Sequence, residues 1–384
     1  MRIRHLVYLF PVLVCCSGHM QGSDAVIIPV DPVHQETLSL FDFVESLEII
    51  HLENVPEAWV SGQTLAAMSV SDAGYYLMDR RNGLIRVFDA DGRFVELVDK
   101  VGRGPGEYTG GVDLQVCPSD SSVQVLSPTR GVYKYSIPDH YSYSGLAAMP
   151  DIITAAHHFA LSPGGEYWFF SASAESRLHL FNPDTQEISS FLSDIPRWFS
   201  LSRYYDFLQQ SPFYQRDGVV YFYTGHNGAV YRCDPAEKQI TPVYLWDLGA
   251  YTLPLSELSK RDVAANNPSL TDKYNQLSHK YVLSVSRICE TDRYLIAGAF
   301  FDERPITLLY DKKKRKSAVF HTVKENVRFY ASFACGNSCY AVLDPEYLSL
   351  FLSKALIKDE KIELLLENPG ENDNCVILKY NLKK

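Results

Sequence analysis

The stretch VGRGPGEYTGG, Val101 to Gly111, invites a chemical reading. Five of its eleven residues are glycine, and Arg103 and Glu107 stand inside it. A glycine loop cradles phosphate when a helix starts behind it and a Lys followed by Ser or Thr closes it. Neither condition is met here. GRGPG is not the GxGxxG spacing, the loop holds no lysine, and Gly106 to Val112 leads into a strand pattern. Pro105-Gly106 instead suits the two central positions of a type II turn, the second of which takes positive φ. Arg103 and Glu107 lie four apart around that turn and are placed to brace each other or a neighbouring element.

The other reactive sets lead away from catalysis. No GxSxG occurs, and His157-His158 precedes a strand without an HExxH pattern. Cys335-Gly-Asn-Ser-Cys339 has the spacing of a metal clip, but no His or second Cys pair accompanies it. Gly336-Asn337 is a hairpin signal between two apolar runs, which makes the flanking cysteines strand residues, paired or free. Asp79, Asp89, Asn182, Asn227 and Asp311 close strands, and turn formation accounts for each. No catalytic or metal-ligating residue is assigned and no cofactor is called for. A divalent cation such as Ca²⁺, held by single ligands from separate elements, would leave no mark in one sequence.

The elements that must position these residues are short strands with period-two alternation, separated by Gly, Asp, Asn or Pro turns, recurring from about residue 40 onward. One unit runs through Tyr75–Asp79, Leu84–Asp89 and Arg93–Val98. Comparable units follow from Val112, Phe159, Gly218, Val282 and Tyr330. Such sheets have two apolar faces and cannot bury them alone; radial stacking about an axis does so. The expected fold is therefore all-β, a six-bladed β-propeller. Phe43–Leu52 and Asn374–Tyr380 are strands without partners in their own units, so pairing of the N-terminal and C-terminal strands is expected to close the ring. Three stretches interrupt the rhythm: residues 194–212, the polar helix-prone Ser256–Lys280, and Pro345–Leu356, which reads as one amphipathic helix. On a propeller they lie over one end and shape a binding mouth. Lys312-Lys-Lys-Arg-Lys316 sits where a β-turn belongs and reads as a solvated hairpin tip.

The N-terminus carries Arg2 and Arg4, an apolar run from Leu6 to Val14, then Cys15-Cys16. This is a secretory signal, too short to span a bilayer as a mature helix. Leu13-Val14-Cys15-Cys16 further reads as a lipoprotein signal with Cys16 lipidated. The chain divides into a signal peptide over 1–15, a tether over 16–37 and a propeller over 38–384. Six cysteines remain after Cys16, too few and too irregular for a disulfide scaffold. The net charge of −10 argues against nucleic acid as a partner.

Three features together resemble a known family. They are Tyr76–Asp79 with Ile85–Asp89 and its Asp-Gly turn, Gly102-Arg-Gly-Pro-Gly-Glu-Tyr108, and the ending Glu371 to Leu382. These resemble the six-bladed β-propeller family of Bacteroidota envelope proteins, many of them lipoproteins, and more distantly NHL-repeat propellers. Cys375 stands where the family usually has proline. The resemblance implies a fold and an envelope location, periplasm-facing or at the cell surface, but no settled activity.

The sequence favours a non-enzymatic binding or scaffold protein whose partner is an envelope glycan, peptide or protein, with the membrane reached through the lipid anchor only. The alternative is a metal-dependent hydrolase or lyase with its site in the central channel. Candidate binding residues are Arg103, Glu107 and Asp79, with Trp198, Tyr204, Tyr205 and Tyr214 as aromatic surfaces for stacking.

Overall fold

The computed structural model describes residues 25–153, 155–171, 176–193, 211–257, 270–353, 356, 363, 366–367 and 373–384. The described chain forms six antiparallel blades in a ring. The first blade is Leu65–Ser71, Gly74–Asp79, Ile85–Phe88 and Phe94–Val98. The second runs from Asp113–Cys117 to Ser142–Ala148, the third from His158–Leu161 to Ile188–Phe191. The fourth begins with Phe213–Arg216, the fifth with Leu283–Glu290 and the sixth with Phe333–Cys335. These first strands line the axis, each contacting the next and the sixth contacting the first. Phe94–Val98 thus lies at the rim, and Asp113 brings the chain back to the axis.

The blades stay together because their faces are apolar. Each hydrophobic cluster lies between neighbours rather than inside one sheet. Trp168 and Phe170 of the third blade pack with Phe222 of the fourth, and Tyr294 of the fifth with Phe329 and Tyr380 of the sixth. Burying a large aromatic contributes about 1.5–3 kcal/mol, so these interfaces carry much of the stability.

Ring closure follows the expected pairing. Val44–His51 is the outer strand of the sixth blade, antiparallel to Val376–Leu382, with Ile49 opposite Leu378 and His51 opposite Val376. The strand-closing acids and amides are turn formers as read. Asp89 Oδ1 accepts from the N–H groups of Asp91 and Arg93, both at 2.9 Å. Asn182 does the same for Asp184 and Thr185, and Asp311 for Lys313 and Lys314. The lysine tract is thereby a hairpin tip.

The sequence reading contained no counterpart of a strand over Val26–Pro29. It adds a fifth strand to the fourth blade, parallel to Gln239–Asp247. From there the chain crosses the fifth blade: Glu36 N donates to Val319 O at 2.7 Å and Lys324 N to Leu38 O at 2.8 Å. It then reaches the sixth, where Glu325 accepts from Leu40 N at 2.9 Å. The N-terminal segment is a belt over three blades.

The expected amphipathic helix over Pro345–Leu356 is a 3-10 helix confined to Pro345–Leu350. Asp344 stands at its N-cap but does not cap it. The Asp344 carboxylate instead accepts from Gly62 N at 2.8 Å and Gln63 N at 3.1 Å, on the connection into the first blade. A short helix without its cap has little to hold a regular α turn. In Ser256–Lys280, an α-helix spans Leu270–Ser278. Residues 194–210 lie outside the described set.

Strand connectivity sorts the connections by end. Tight turns such as Gly336-Asn337 and Lys312–Arg315 lie at one end. The long connections, including residues 99–112, 248–282, 321–332 and 344–375, leave from the other.

Candidate ligand-binding cleft

The axial channel has a cavity of about 280 Å³, walled by the inner strands. Its polar side chains serve the ring itself, because adjacent inner strands do not form a continuous backbone ladder. Ser69 Oγ accepts from Val116 N at 3.1 Å, linking the first blade to the second. Gln115 Oε1 accepts from Leu161 N at 3.1 Å. Asp113, the one carboxylate among the described residues of the channel wall, accepts from Phe159 N at 3.1 Å and from His158 Nδ1 at 3.2 Å. Gln215 Nε2 donates to Leu161 O at 3.0 Å. Among the described residues no three His, Cys, Asp or Glu converge as metal ligands. Beside this network, burial, with help from His158 and Arg80, pushes the His157 imidazole down to about 4.

A second polar cluster joins the fourth and fifth blades at the short-turn end. Glu290 is buried and accepts from Tyr214 Oη at 2.7 Å, Tyr244 Oη at 2.9 Å, Lys312 Nζ at 2.9 Å and Arg216 Nη1 at 3.3 Å. Four donors on one carboxylate offset its desolvation. This cluster is a fastener: each group already has its partner.

A different arrangement lies at the long-connection end, between the fifth and sixth blades. A cleft of about 240 Å³ is walled by Gly298, Ile306 and Thr307 on one side and by Arg328–Ala331 and Phe351 on the other. Arg287, Thr307, His321, Arg328 and Tyr330 contribute its polar groups, and among the described residues of the wall there is no carboxylate.

Arg287 reaches the cleft through an irregular strand. Between Leu283 and Cys289 the register against Tyr294–Phe301 slips twice. In each slip three residues span two on the partner, with Ser284 in one at φ 56° and Arg287 in the other at φ 53°. Left-handed φ at a non-glycine residue costs on the order of 1–3 kcal/mol, and paired bulges re-aim side chains. The guanidinium then lies along the neighbouring strand at Gly298, where a Cβ would stand 2.7 Å from Arg287 Nε. Its other face covers the Tyr330 ring at 4.9 Å, and Tyr330 in turn packs on Phe351 at 5.6 Å.

The opposite wall is held by backbone bonds. Arg328 N donates to Leu350 O at 2.8 Å, tying the segment to the 3-10 helix. Thr307 Oγ1 donates to Phe329 O at 3.5 Å. His321 Nδ1 donates to Pro305 O at 2.6 Å, which leaves Nε2 as the second ring position facing other partners.

The residues singled out in the sequence lie elsewhere. Asp79 Oδ1 accepts from Arg81 N at 2.8 Å, a turn role. Gly104–Glu107 forms the expected type of turn, with Glu107 N donating to Gly104 O at 3.1 Å and Gly106 at φ 77°. Glu107 folds onto its own loop and accepts from Gly104 N at 2.8 Å. Among the described residues no ion pair joins it to Arg103. The loop is tied to the first blade by Tyr108 instead, whose Oη donates to Gly83 O and which the sequence reading passed over. Tyr214 stacks on Tyr221 at 4.9 Å and serves Glu290, so it is structural. Cys335 and Cys339 are free and out of register, Cys335 opposing Ser338 and Cys339 opposing Ala334. Cys16, Trp198, Tyr204 and Tyr205 lie outside the described residues. The cleft residues were not foreseen; the one hint was a lone arginine inside the apolar run Leu283–Glu290.

A model of the domain of unknown function DUF4934 matches residues 25–381. The chain belongs to the DUF4934 family. Among solved structures, this DUF4934 chain is similar to a Bacteroides fragilis protein assigned as exported, with a TM-score of 0.73 and 19% identity. That match covers 94% of this chain and 100% of the other, and shows the shared fold. A structural genomics protein of unknown function from Bacteroides thetaiotaomicron aligns at TM-score 0.45 and 12% identity, covering 88% of this chain and 76% of its own. No curated protein matches the DUF4934 chain.

Proposed function

We propose that this DUF4934 propeller is an exported, non-enzymatic binding protein of the cell envelope that takes its ligand in the cleft between the fifth and sixth blades. The observation that carries this reading is the cleft itself. There Arg287 and Arg328 meet the rings of Tyr330 and Phe351 around a cavity open at the long-connection end. The channel supports the same reading, since its described polar groups are occupied in holding the ring. The export signal over residues 1–15 and the similarity to a protein assigned as exported support an envelope location. Lipidation at Cys16 would anchor the chain, leaving the propeller on the periplasmic side or at the cell surface. The ligand is a group small enough for the cleft, presented by an envelope glycan, peptide or protein.

The test is a glycan and peptide binding screen on the mature protein, repeated with Phe351→Ala and Tyr330→Ala. Binding that weakens tenfold or more in both variants, with unchanged melting temperature, is the expected result. A ligand retained by both variants would move the site away from the cleft. Separately, Cys16→Ala should release the protein from the membrane fraction; continued fractionation with membranes would overturn the anchor.

A further inference from the structure

We infer that Cys289 and Cys339 join as a disulfide when the chain folds in an oxidising compartment, stapling the fifth blade to the sixth; this rests on the envelope location proposed above. The first support is placement. Cys289 stands near the end of the inner strand of the fifth blade, and Cys339 near the start of the second strand of the sixth. Both side chains are fully buried in the apolar cluster between these blades. The Cys289 thiol donates to Phe333 O at 3.6 Å across the junction. The next residue, Ala334, is the register partner of Cys339. The Cys339 thiol thereby comes within hydrogen-bonding reach of the Cys289 thiol. A disulfide requires facing Cβ atoms at short range, and thiols in mutual reach bring them there. The other cysteines are engaged elsewhere. Cys117 Sγ lies 3.1 Å from Ser119 Oγ. Cys375 donates to Val60 O at 3.1 Å and to Asp344 Oδ1 at 3.2 Å. Cys233 is buried among residues of the third, fourth and fifth blades, and Cys335 lines the axial channel.

The second support is the chemistry that this junction permits. The oxidant is a disulfide compound of the compartment. One cysteine thiolate attacks its S–S bond, which gives a mixed disulfide and releases one thiol. The second cysteine then displaces the other thiol. Two cysteine thiols are oxidised, the oxidant is reduced to two thiols, and both protons pass to the departing sulfurs. The exchange belongs to folding. Once the blades have closed, both sulfurs are sealed from an oxidant, and the neighbouring Cys289, with burial, holds the Cys339 thiol well above its usual range. The same packing then shields the finished bond from reductants. The staple joins the two blades that wall the cleft, just past Arg287 on the bulged strand.

The test refolds the full mature protein in a mixture of oxidised and reduced glutathione. The product is alkylated in denaturant without reductant, digested and weighed by mass spectrometry. One linked pair of peptides should hold Cys289 and Cys339, with Cys117, Cys233, Cys335 and Cys375 alkylated. Dithiothreitol should open the bond in denaturant but not in native buffer. The oxidised protein should melt roughly 5 °C above the reduced one, and Cys339→Ala should abolish the difference. Refolded protein with both Cys289 and Cys339 alkylated would overturn the inference. So would a linked peptide that pairs either of them with Cys335, or an oxidised protein that melts below the reduced one. Refolding in glutathione needs no export, so the two readings fail separately. A chain that forms the bond in glutathione, yet carries both thiols when extracted from its own cells, would overturn the envelope location and leave the pairing standing.

Discussion

Tyr108 Oη donates to Gly83 O at 2.7 Å, and this bond joins the connection between the first two blades to the turn of the first. The ring is fully buried and lies edge-on to Tyr135, whose own hydroxyl donates to Gly106 O at 2.9 Å. The glycine-rich stretch is thus clamped from below by two tyrosines. Tyr108→Phe leaves Gly83 O without this donor and should cost about 1–3 kcal/mol. Tyr108→Ala removes the packing as well and should cost roughly 3–5 kcal/mol. Denaturant midpoints measure both; a Phe variant as stable as the parent would show that water replaces the hydroxyl.

Glu290 tests the fastener between the fourth and fifth blades. Its side chain is 4% exposed, against 22% for Arg216 and 19% for Lys312. Glu290→Gln strands Lys312 beside Arg216, which keeps Asp217 and Asp292 as partners, and should cost about 3–5 kcal/mol. Adding Lys312→Met removes the stranded cation and should restore part of the loss. The double variant melting lower than Glu290→Gln alone would argue that Lys312 is held by other partners.

The pH dependence of stability should carry the mark of His157. The unfolded side chain titrates near 6.5, and the folded one is pushed down to about 4 by burial, His158 and Arg80. The unfolded state therefore takes up its proton first on acidification. Stability is complete above pH 6.5 and falls between 6.5 and about 4, by at most roughly 3 kcal/mol from this residue. His157→Asn should flatten that acid limb in denaturant titrations. An unchanged slope would assign acid sensitivity to other groups.

Cysteine labelling should separate the exposed thiol from the buried ones. Cys335 is exposed, while Cys117, Cys233, Cys289, Cys339 and Cys375 are buried. Burial first, and then Asp72, raises the Cys335 thiol above its usual range, so its labelling should accelerate as pH rises. Burial and the Asp344 carboxylate hold the Cys375 thiol well above its usual range. Peptide mass spectrometry after brief alkylation should find label at Cys335 alone among these six until denaturant is added. Early label at Cys339 would mean that the sixth blade opens locally.

Much of the architecture was readable because it is repetitive. The third strands end on Asp89, Asn182 and Asp311, whose side chains cap their own turns, so position and residue type agree in blade after blade. Phe43–Leu52 and Asn374–Tyr380 showed two strands in need of a partner, and they found each other. Other strands escaped for physical reasons. Val26–Pro29 is four residues long and borrows its pairing from a distant edge. Ser142–Ala148 is a rim strand with mostly exposed side chains, which leaves little alternation to see. The cleft was hidden more deeply. Arg287, His321 and Arg328 are brought together by two bulges and a blade junction, and neither has a period. The glycine loop drew the eye to Arg103 and Glu107, when its useful residue was the tyrosine beside them.

The parallel pairing of Val26–Pro29 gives the molecule a polarity. Gln239–Asp247 runs towards the long-connection end, so the strand beside it does too, and Val26 lies nearer the short-turn end than Pro29 does. The cleft lies at the opposite end. A propeller tethered through its N-terminus would hang with its tight turns towards the bilayer and the arginines facing away. A pull on the tether would run along the strand, in shear, and strain the bonds to Tyr244–Asp247 together rather than peel them one by one.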